Sequence, residues 1–388
     1  MALQSKFHAG DTAPQRHETD GVDKILLAEA ATFDESRIQS VLVVDPTSGH
    51  LLDDLQQVFP HAAIRVVADS LVDERTIHAS HPDVVHPSGL TLNDEPQQPA
   101  STHTERYPAA IFLDVDLVVM RLPKSLDALD EFACAASQNL PTHARVIAGA
   151  RTKYMTHSQT QVLHTYFGAV HASLGRFKSR VLHASLPVQP TQQPQPYPRT
   201  AALSTPKVTL AAHGGVFSGV KLDVGSRFLI EHLPDLLAAV PDATLFVDAG
   251  CGTGVLSVAI ASHREGAHIT ASDVSRAAVL STRATAQENG VSDQVVSYQD
   301  DALTSLPTAS ADVVICNPPF HTGTALDTSA AHRMFEQARR VLKPGGELWT
   351  VFNSPLPYKQ VLHAEVGSTR VYATNKKFTV TVSRTPQP

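Results

Sequence analysis

Cysteine is scarce in this chain: Cys134, Cys251 and Cys316 are the only three among 388 residues. They lie far apart and without metal-ligand spacing, which excludes a disulfide framework and a zinc site and fits a reducing cytoplasm. Long apolar runs are missing too. No stretch of about eighteen apolar residues occurs, so neither a membrane span nor a membrane partner is expected. The segment Met1 to Asp20 is polar and of mixed charge, without the apolar centre of a signal peptide. The third absence is local. From Phe132 to Leu222 there is not one Asp or Glu, although the whole chain carries a net charge of −7. That stretch holds Arg145, Arg151, Lys153, Arg176, Lys178, Arg180, Arg199, Lys207 and Lys221, together with six histidines. It predicts a basic face for a polyanion on an otherwise acidic protein.

What is present is ordinary in bulk and specific in detail. Hydrophobic content of 42% and charged content of 18% are those of a soluble globular protein. The length suggests two domains, each large enough to bury its own core. Prolines from Leu186 to Arg199 block both helix and sheet ladders and read as an extended linker. The expected division is residues 1–186, a linker at 187–200, and a second domain at 201–388. Asp69 to Arg106, rich in Pro, His, Asp and Ser, reads as a surface insertion.

The two halves echo each other at an offset of roughly 200 residues. Val43-Val44-Asp45 corresponds to Phe246-Val247-Asp248, and Asp69 to Asp273. Leu117 to Met120 corresponds to Val313 to Cys316, and Ala144 to Gly149 to Glu347 to Phe352. The pattern predicts two tandem doubly wound, Rossmann-like α/β domains. The first is degenerate, because it keeps only Gly49 of a glycine turn and has Arg121-Leu122-Pro123-Lys124 where the second has Asn317-Pro318-Pro319-Phe320.

In the second half, strand Leu245 to Asp248 runs into Ala249-Gly250-Cys251-Gly252-Thr253-Gly254. Gly250, Gly252 and Gly254 let backbone lie against a ligand near a helix N-terminus, a pattern that would equally suit NAD or FAD. Asp273 ends the next strand, where a carboxylate accepts ribose hydroxyls; a helix cap is the plainer alternative. Asp301, after a third strand, is a candidate for an adenine amino group or simply a loop charge. Asn317 and the Pro318 carbonyl supply two acceptors for the hydrogens of an amine conjugated to a base ring. Such an amine becomes nucleophilic only as it turns tetrahedral, so acceptors placed for that geometry act in the transition state. Phe320 offers a face for an unstacked base, and His321 either touches base or phosphate or is an ordinary loop residue. Together these residues indicate an S-adenosylmethionine-dependent methyltransferase acting on an amino group. A phosphate-binding role is expected of Arg121, Lys124, Arg151, Lys153, Arg176 and Lys178 in the first half.

These residues resemble the bacterial ribosomal RNA guanine-N2 methyltransferases, in which an inactive methyltransferase-like domain precedes an active one. The resemblance is carried by Gly214 to Ser218, Leu222 to Ser226, Asp248 to Gly254, Asn317 to His321 and Ala373 to Phe378. It covers nearly the whole chain and is strongest from about Ala211 to Ser383. It implies that Phe217, Asp223, Gly225 and Ser226 flank the cofactor pocket, that Asp248 belongs to the cofactor-binding set, and that the partner is ribosomal RNA, met by a monomer. Ala373 to Phe378, Met334 to Arg340 and Ile147-Ala148-Gly149 look more like the large-subunit enzyme than its small-subunit sister. Two other readings stand beside this one. The first is an amino methyltransferase for DNA adenine or cytosine or for a protein glutamine. The second is a non-catalytic RNA-binding assembly factor, which need not bind S-adenosylmethionine at all.

Overall fold

The computed structural model describes residues 20–84, 105–189, 196–319 and 329–387. In the first half, α1 (Gly21–Ala30) leads into β1 (Ser40–Val44), α2 (His50–Val58), β2 (Ala63–Val67) and α3 (Leu71–Ser80). There follow β3 (Leu117–Arg121), α4 (Leu126–Asn139), β4 (Arg145–Arg151), α5 (His157–Tyr166), β5 (Phe167–Ala172) and β6 (Ser179–Pro187). The strands form one sheet in the order β2-β1-β3-β4-β6-β5, parallel as far as β4 and antiparallel beyond it. Every residue of β1, Ser-Val-Leu-Val-Val, is buried. Such a continuous β-branched run belongs to a parallel strand covered by helices on both faces.

A hairpin, β7 (Arg199–Ser204) and β8 (Lys207–Ala212), joins this unit to the second. There α6 (Val224–Glu231) and α7 (Leu233–Ala239) precede β9 (Leu245–Ala249), α8 (Val255–His263), β10 (His268–Asp273), α9 (Arg276–Glu288) and β11 (Val295–Gln299). Then come β12 (Ala311–Cys316), α10 (Ser329–Val341), β13 (Leu342–Asn353), α11 (Tyr358–Glu365), β14 (Ser368–Thr374) and β15 (Phe378–Arg384). The sheet order is β11-β10-β9-β12-β13-β15-β14, with β15 antiparallel to its neighbours. Helix α8 is buried from Val255 to Ala261 and forms the centre of the core with Phe246, Ile315 and Trp349. Helix α10 turns Ala331, Phe335, Ala338 and Val341 inward, a spacing that puts its polar residues on the other sides. Among the described residues no helix is long and apolar enough to cross a membrane.

The sheets match strand for strand from β2-β1-β3-β4-β6-β5 to β10-β9-β12-β13-β15-β14, and the first half has no described counterpart of β11. Two carboxylates fix the register. Asp116 accepts from the N–H groups of Gln39 and Ser40 at 2.8 and 3.0 Å, and Asp312 accepts from those of Thr244 and Leu245 at 3.0 and 2.9 Å. Val44 therefore matches Ala249, and Asp45 matches Gly250 rather than Asp248. Likewise Ala68, not Asp69, matches Asp273, while Arg121 and Asn317 are equivalent as expected. The sequence alignment slips by two residues at β1 and by one at β2, because both halves place an Asp near each strand end.

The reading of Asp69 to Arg106 as a surface insertion is corrected by the structure. Residues 71–80 form α3, and residues 85–104 lie outside the described set. Both end residues sit in the seam between the halves. Arg106 is buried; it donates to the Asp69 carboxylate at 2.9 Å, to Glu131 at 3.4 Å and to the Gly214 carbonyl at 2.5 Å. Glu131 also accepts from Gly214 N and pairs with His213 Nδ1 at 2.5 Å. A buried charge persists only with such partners. Gly214 itself packs so tightly on α4 that an added Cβ would stand 2.2 Å from the Asp127 carbonyl oxygen. After the proline-rich stretch, Tyr197 and Arg199 are anchored on Asp127 and Asp130, with Arg199 donating to them at 2.7 and 2.6 Å.

Candidate active site

At the carboxyl ends of β9, β10, β11 and β12 the second half opens a cavity of about 520 Å³. Three turns build it. After β9, Gly250, Gly252 and Gly254 all adopt positive φ, at +74°, +54° and +75°. The Gly250 and Cys251 amides donate to the Ser272 carbonyl, and Gly250, Cys251, Gly252 and Thr253 line the cavity. A Cβ on Gly252 would meet nothing within 4 Å among the described residues, so this turn is a cradle open to a ligand. Gly254 serves packing: a Cβ there would lie 2.8 Å from Thr282 of α9.

The second turn carries Asp273, which accepts from Gly252 N at 3.1 Å and Ser275 N at 3.0 Å. Ser275, not Asp273, caps α9 by accepting from Ala278 N. Burial pushes the Asp273 carboxyl above its ordinary range, against the pull of these N–H donors. Asp301, from the turn after β11, also lines the cavity and accepts from Arg333 of α10 at 3.1 Å.

The third turn follows β12. The Asn317 side chain donates through Nδ2 to Asp223 Oδ1 and to Ser226 Oγ, each at 3.1 Å. A carboxylate can only accept, so this contact fixes the amide with its nitrogen towards α6. Asn317 Oδ1 is then buried without a partner among the described residues, at the wall of the cavity. Gly225 sits behind this contact, where a Cβ would crowd Asn317 Nδ2 at 3.3 Å.

Of the expected site residues, Phe217, Asp223, Ser226, Gly250, Gly252, Asp273, Asp301, Asn317 and Pro318 line one cavity. Gly225 and Gly254 stand behind its wall. Asp248 does not reach it: the residue is fully buried and accepts from Ser257 Oγ at 2.6 Å and Ser257 N at 3.1 Å. Its place under the glycine turn ties β9 to α8, and burial pushes its carboxyl up to about 6. Phe320 and His321 lie outside the described residues. Val72, from the first half, and Arg333 and Met334, from α10, line the cavity without having been expected. In the sequence Met334 stands out only within the resemblance, not as a site residue; nothing in the local sequence pointed to Val72.

The basic residues of the first half divide. Arg121 is engaged inside its domain, paired with Asp20 and Asp23 and donating to Thr47 Oγ1. Arg151 shares Asp20 at 2.7 Å, and Arg199 is held by Asp127 and Asp130. The acid-free stretch is thus partly neutralised by carboxylates that precede it in the chain, and Arg121, expected as a phosphate contact, is held within its own domain. Lys124 and Lys153 flank the Tyr154 ring, and Arg176 lies over Phe177 beside Lys178.

A glycine turn, an acidic strand end and an oriented amide on a doubly wound sheet define a Rossmann-like methyltransferase. Residues 207–382 match the methyltransferase small domain model and residues 14–188 the RLMG N-terminal domain model. The chain is 33% identical over 369 residues to the ribosomal RNA large subunit methyltransferase G of Pseudomonas putida (strain GB-1), covering 94% of this chain and 92% of that one. It is 37% identical over 265 residues to the protein of the same name from Stutzerimonas stutzeri (strain A1501), covering 68% and 69%. The chain belongs to the ribosomal RNA large subunit methyltransferase G family. A solved structure of the T. thermophilus 16S rRNA N2 G1207 methyltransferase, in complex with AdoMet and guanosine, shares the fold. Its TM-score is 0.71 at 20% identity, over 95% of this chain and 93% of that one.

Proposed function

We propose that this protein transfers a methyl group from S-adenosylmethionine to the exocyclic N2 amine of a guanine in large-subunit ribosomal RNA. The observation that carries the reading is the Asn317 amide, locked by Asp223 and Ser226 so that a buried oxygen, unpaired among the described residues, stands at the cavity wall. The residues fit the methyl donor: the glycine cradle takes its backbone-hugging part, and Asp273 has lone pairs left for ribose hydroxyls. When bound, S-adenosylmethionine supplies an electrophilic methyl on a sulfonium and leaves as the neutral thioether.

Asn317 Oδ1 and the Pro318 carbonyl accept the two N2 hydrogens and favour the tetrahedral nitrogen that attack requires. As the N–CH3 bond forms and the S–C bond breaks, the amine becomes cationic. It then returns to neutrality by releasing one hydrogen as a proton to solvent. Asp223 has no contact with the base in this scheme; it and Ser226 position Asn317. The first domain, at residues 1–186 and followed by the connecting stretch 187–200, positions RNA through Lys124, Lys153, Arg176 and Lys178 while the second does the chemistry. The protein works as a monomer in the cytoplasm. Family membership supports ribosomal RNA over DNA or protein glutamine as the substrate, and the intact amide supports an enzyme over an assembly factor.

The test is mass mapping of methylated guanines in ribosomal RNA from cells with and without the gene, followed by restoration in vitro with purified protein. Loss of one N2-methylguanine from large-subunit RNA is expected. An unchanged map would overturn the reading.

A further inference from the structure

Resting on the methyl-donor reading, we propose that the first half completes the cofactor site: Val72 forms one of its walls, and Asp69 positions both acidic turns from across the seam. The turn after β10 does not stand alone. Leu71 N donates to the Val274 carbonyl at 3.0 Å, and Ser70 pairs with Ser275 in an antiparallel bridge. The Asp69 carboxylate accepts from Ser275 Oγ at 2.6 Å and Ala277 N at 3.0 Å, and its carbonyl accepts from Arg276 N at 2.8 Å. A carboxylate at the first turn of a thirteen-residue helix is favourably placed for the helix dipole.

The same carbonyl reaches the other side of the cavity. Gln299, the last residue of β11, donates its amide to the Asp69 carbonyl and to the Val274 carbonyl, each at 3.0 Å. Asp300 and Asp301 follow directly. One residue of the first half thus fixes the spacing between the turn that bears Asp273 and the turn that bears Asp301. Asp69 is itself held by Arg106 and by Asp45, which accepts its N–H at 2.8 Å. Asp45 occupies the place of Gly250 in the first half, so the counterpart of the glycine turn braces the second half's cavity through Asp69.

Val72 stands next to Leu71 and is 37% exposed, as is Val274; Phe217 is 69% exposed. All three line the cavity. Apolar side chains left open around one cavity suit the flat face of an aromatic ring, here the adenine of the methyl donor.

The test is calorimetric titration of the full-length protein with S-adenosylhomocysteine, alongside thermal melting of the unliganded protein. Because Val72 is partly exposed, Val72→Ala should melt as wild type yet bind about three- to ten-fold more weakly, since two methyl groups no longer cover the ligand. Val72→Asp should bind roughly thirty-fold or more weakly, with a carboxylate placed beside the ligand. Asp69→Asn should raise the KM for S-adenosylmethionine while kcat at saturating donor and RNA affinity stay unchanged, a split that general loosening of the fold would not produce. Binding by both Val72 variants within about two-fold of wild type would overturn the inference. Absence of binding by the wild-type protein would overturn the methyl-donor reading, and this inference with it.

Discussion

Val44 and Ala249 end equivalent strands, yet the next residue is Asp45 in one half and Gly250 in the other, both at positive φ (50° and 74°). The backbone geometry of a cofactor turn has outlived the glycine. Where the second half holds Asn317 against Asp223 and Ser226, the first holds Arg121 between Asp20 and Asp23. In the function proposed above, activity rests on which atoms the frame leaves unsatisfied. In the second half an amide oxygen is left without a partner among the described residues; in the first the equivalent side chain is matched by opposite charge.

The sharpest way to break this comparison is Asn317→Ala. It should lower single-turnover methylation by two orders of magnitude or more, about 2.7–4 kcal/mol, with cofactor affinity nearly intact. Near-wild-type turnover would remove Asn317 from the chemistry. The counterpart in the silent half, Arg121→Ala, should cost about 3 kcal/mol of stability by leaving Asp23 buried without its cation. Methyl transfer by the remaining folded protein should not change; denaturant titration and a rate normalised to folded protein separate the two.

Asp273→Ala is expected to weaken S-adenosylmethionine and S-adenosylhomocysteine equally, by about 1.5–3 kcal/mol for a charged hydrogen bond. Calorimetry with unchanged affinity would reduce Asp273 to a brace for Gly252 and Ser275. For the basic face, Lys153, Arg176 and Lys178 changed to Glu should weaken RNA binding. The log–log salt slope should fall by about 0.7–0.9 for each phosphate left without its cation. Arg151 is left out of that set because Asp20 already engages it. A wild-type slope would move the RNA face elsewhere.

The smallest effect concerns pH. Asp248 is pushed up to about 6 by burial, from an ordinary 3.8, so the folded state holds its proton more tightly than the unfolded chain. Its stabilising contribution is present below about pH 4 and is lost as pH rises through 6. Asp248→Asn should flatten urea-midpoint stability across that window, by on the order of 1 kcal/mol per pH unit at most.

The residues of the second half that sit in a local pattern were legible: a glycine turn, a strand-ending acid, an Asn-Pro-Pro run; Val72, from the first half, lines the same cavity and sits in no such pattern. The pairing of Asn317 with Asp223 was not legible, since 94 residues separate them. Register failed at β1 for a physical reason. An even slip keeps every side chain on its face, so alternation cannot detect it; only the Asp116 and Asp312 hydrogen bonds do. Asp69 and Arg106 were hidden by the composition around them, which reads as loop, although both ends of that segment are pinned in the seam.

The fit of Gly214 against α4 carries a consequence for recombination. With 2.2 Å between a would-be Cβ and the Asp127 carbonyl oxygen, no side chain larger than hydrogen fits without moving one half off the other. Its amide and carbonyl are meanwhile bonded to Glu131 and Arg106. A chimera that takes one half from a distant relative must keep Gly214 opposite Asp127, Glu131 and Arg106, so the halves cannot be exchanged like modules on a linker.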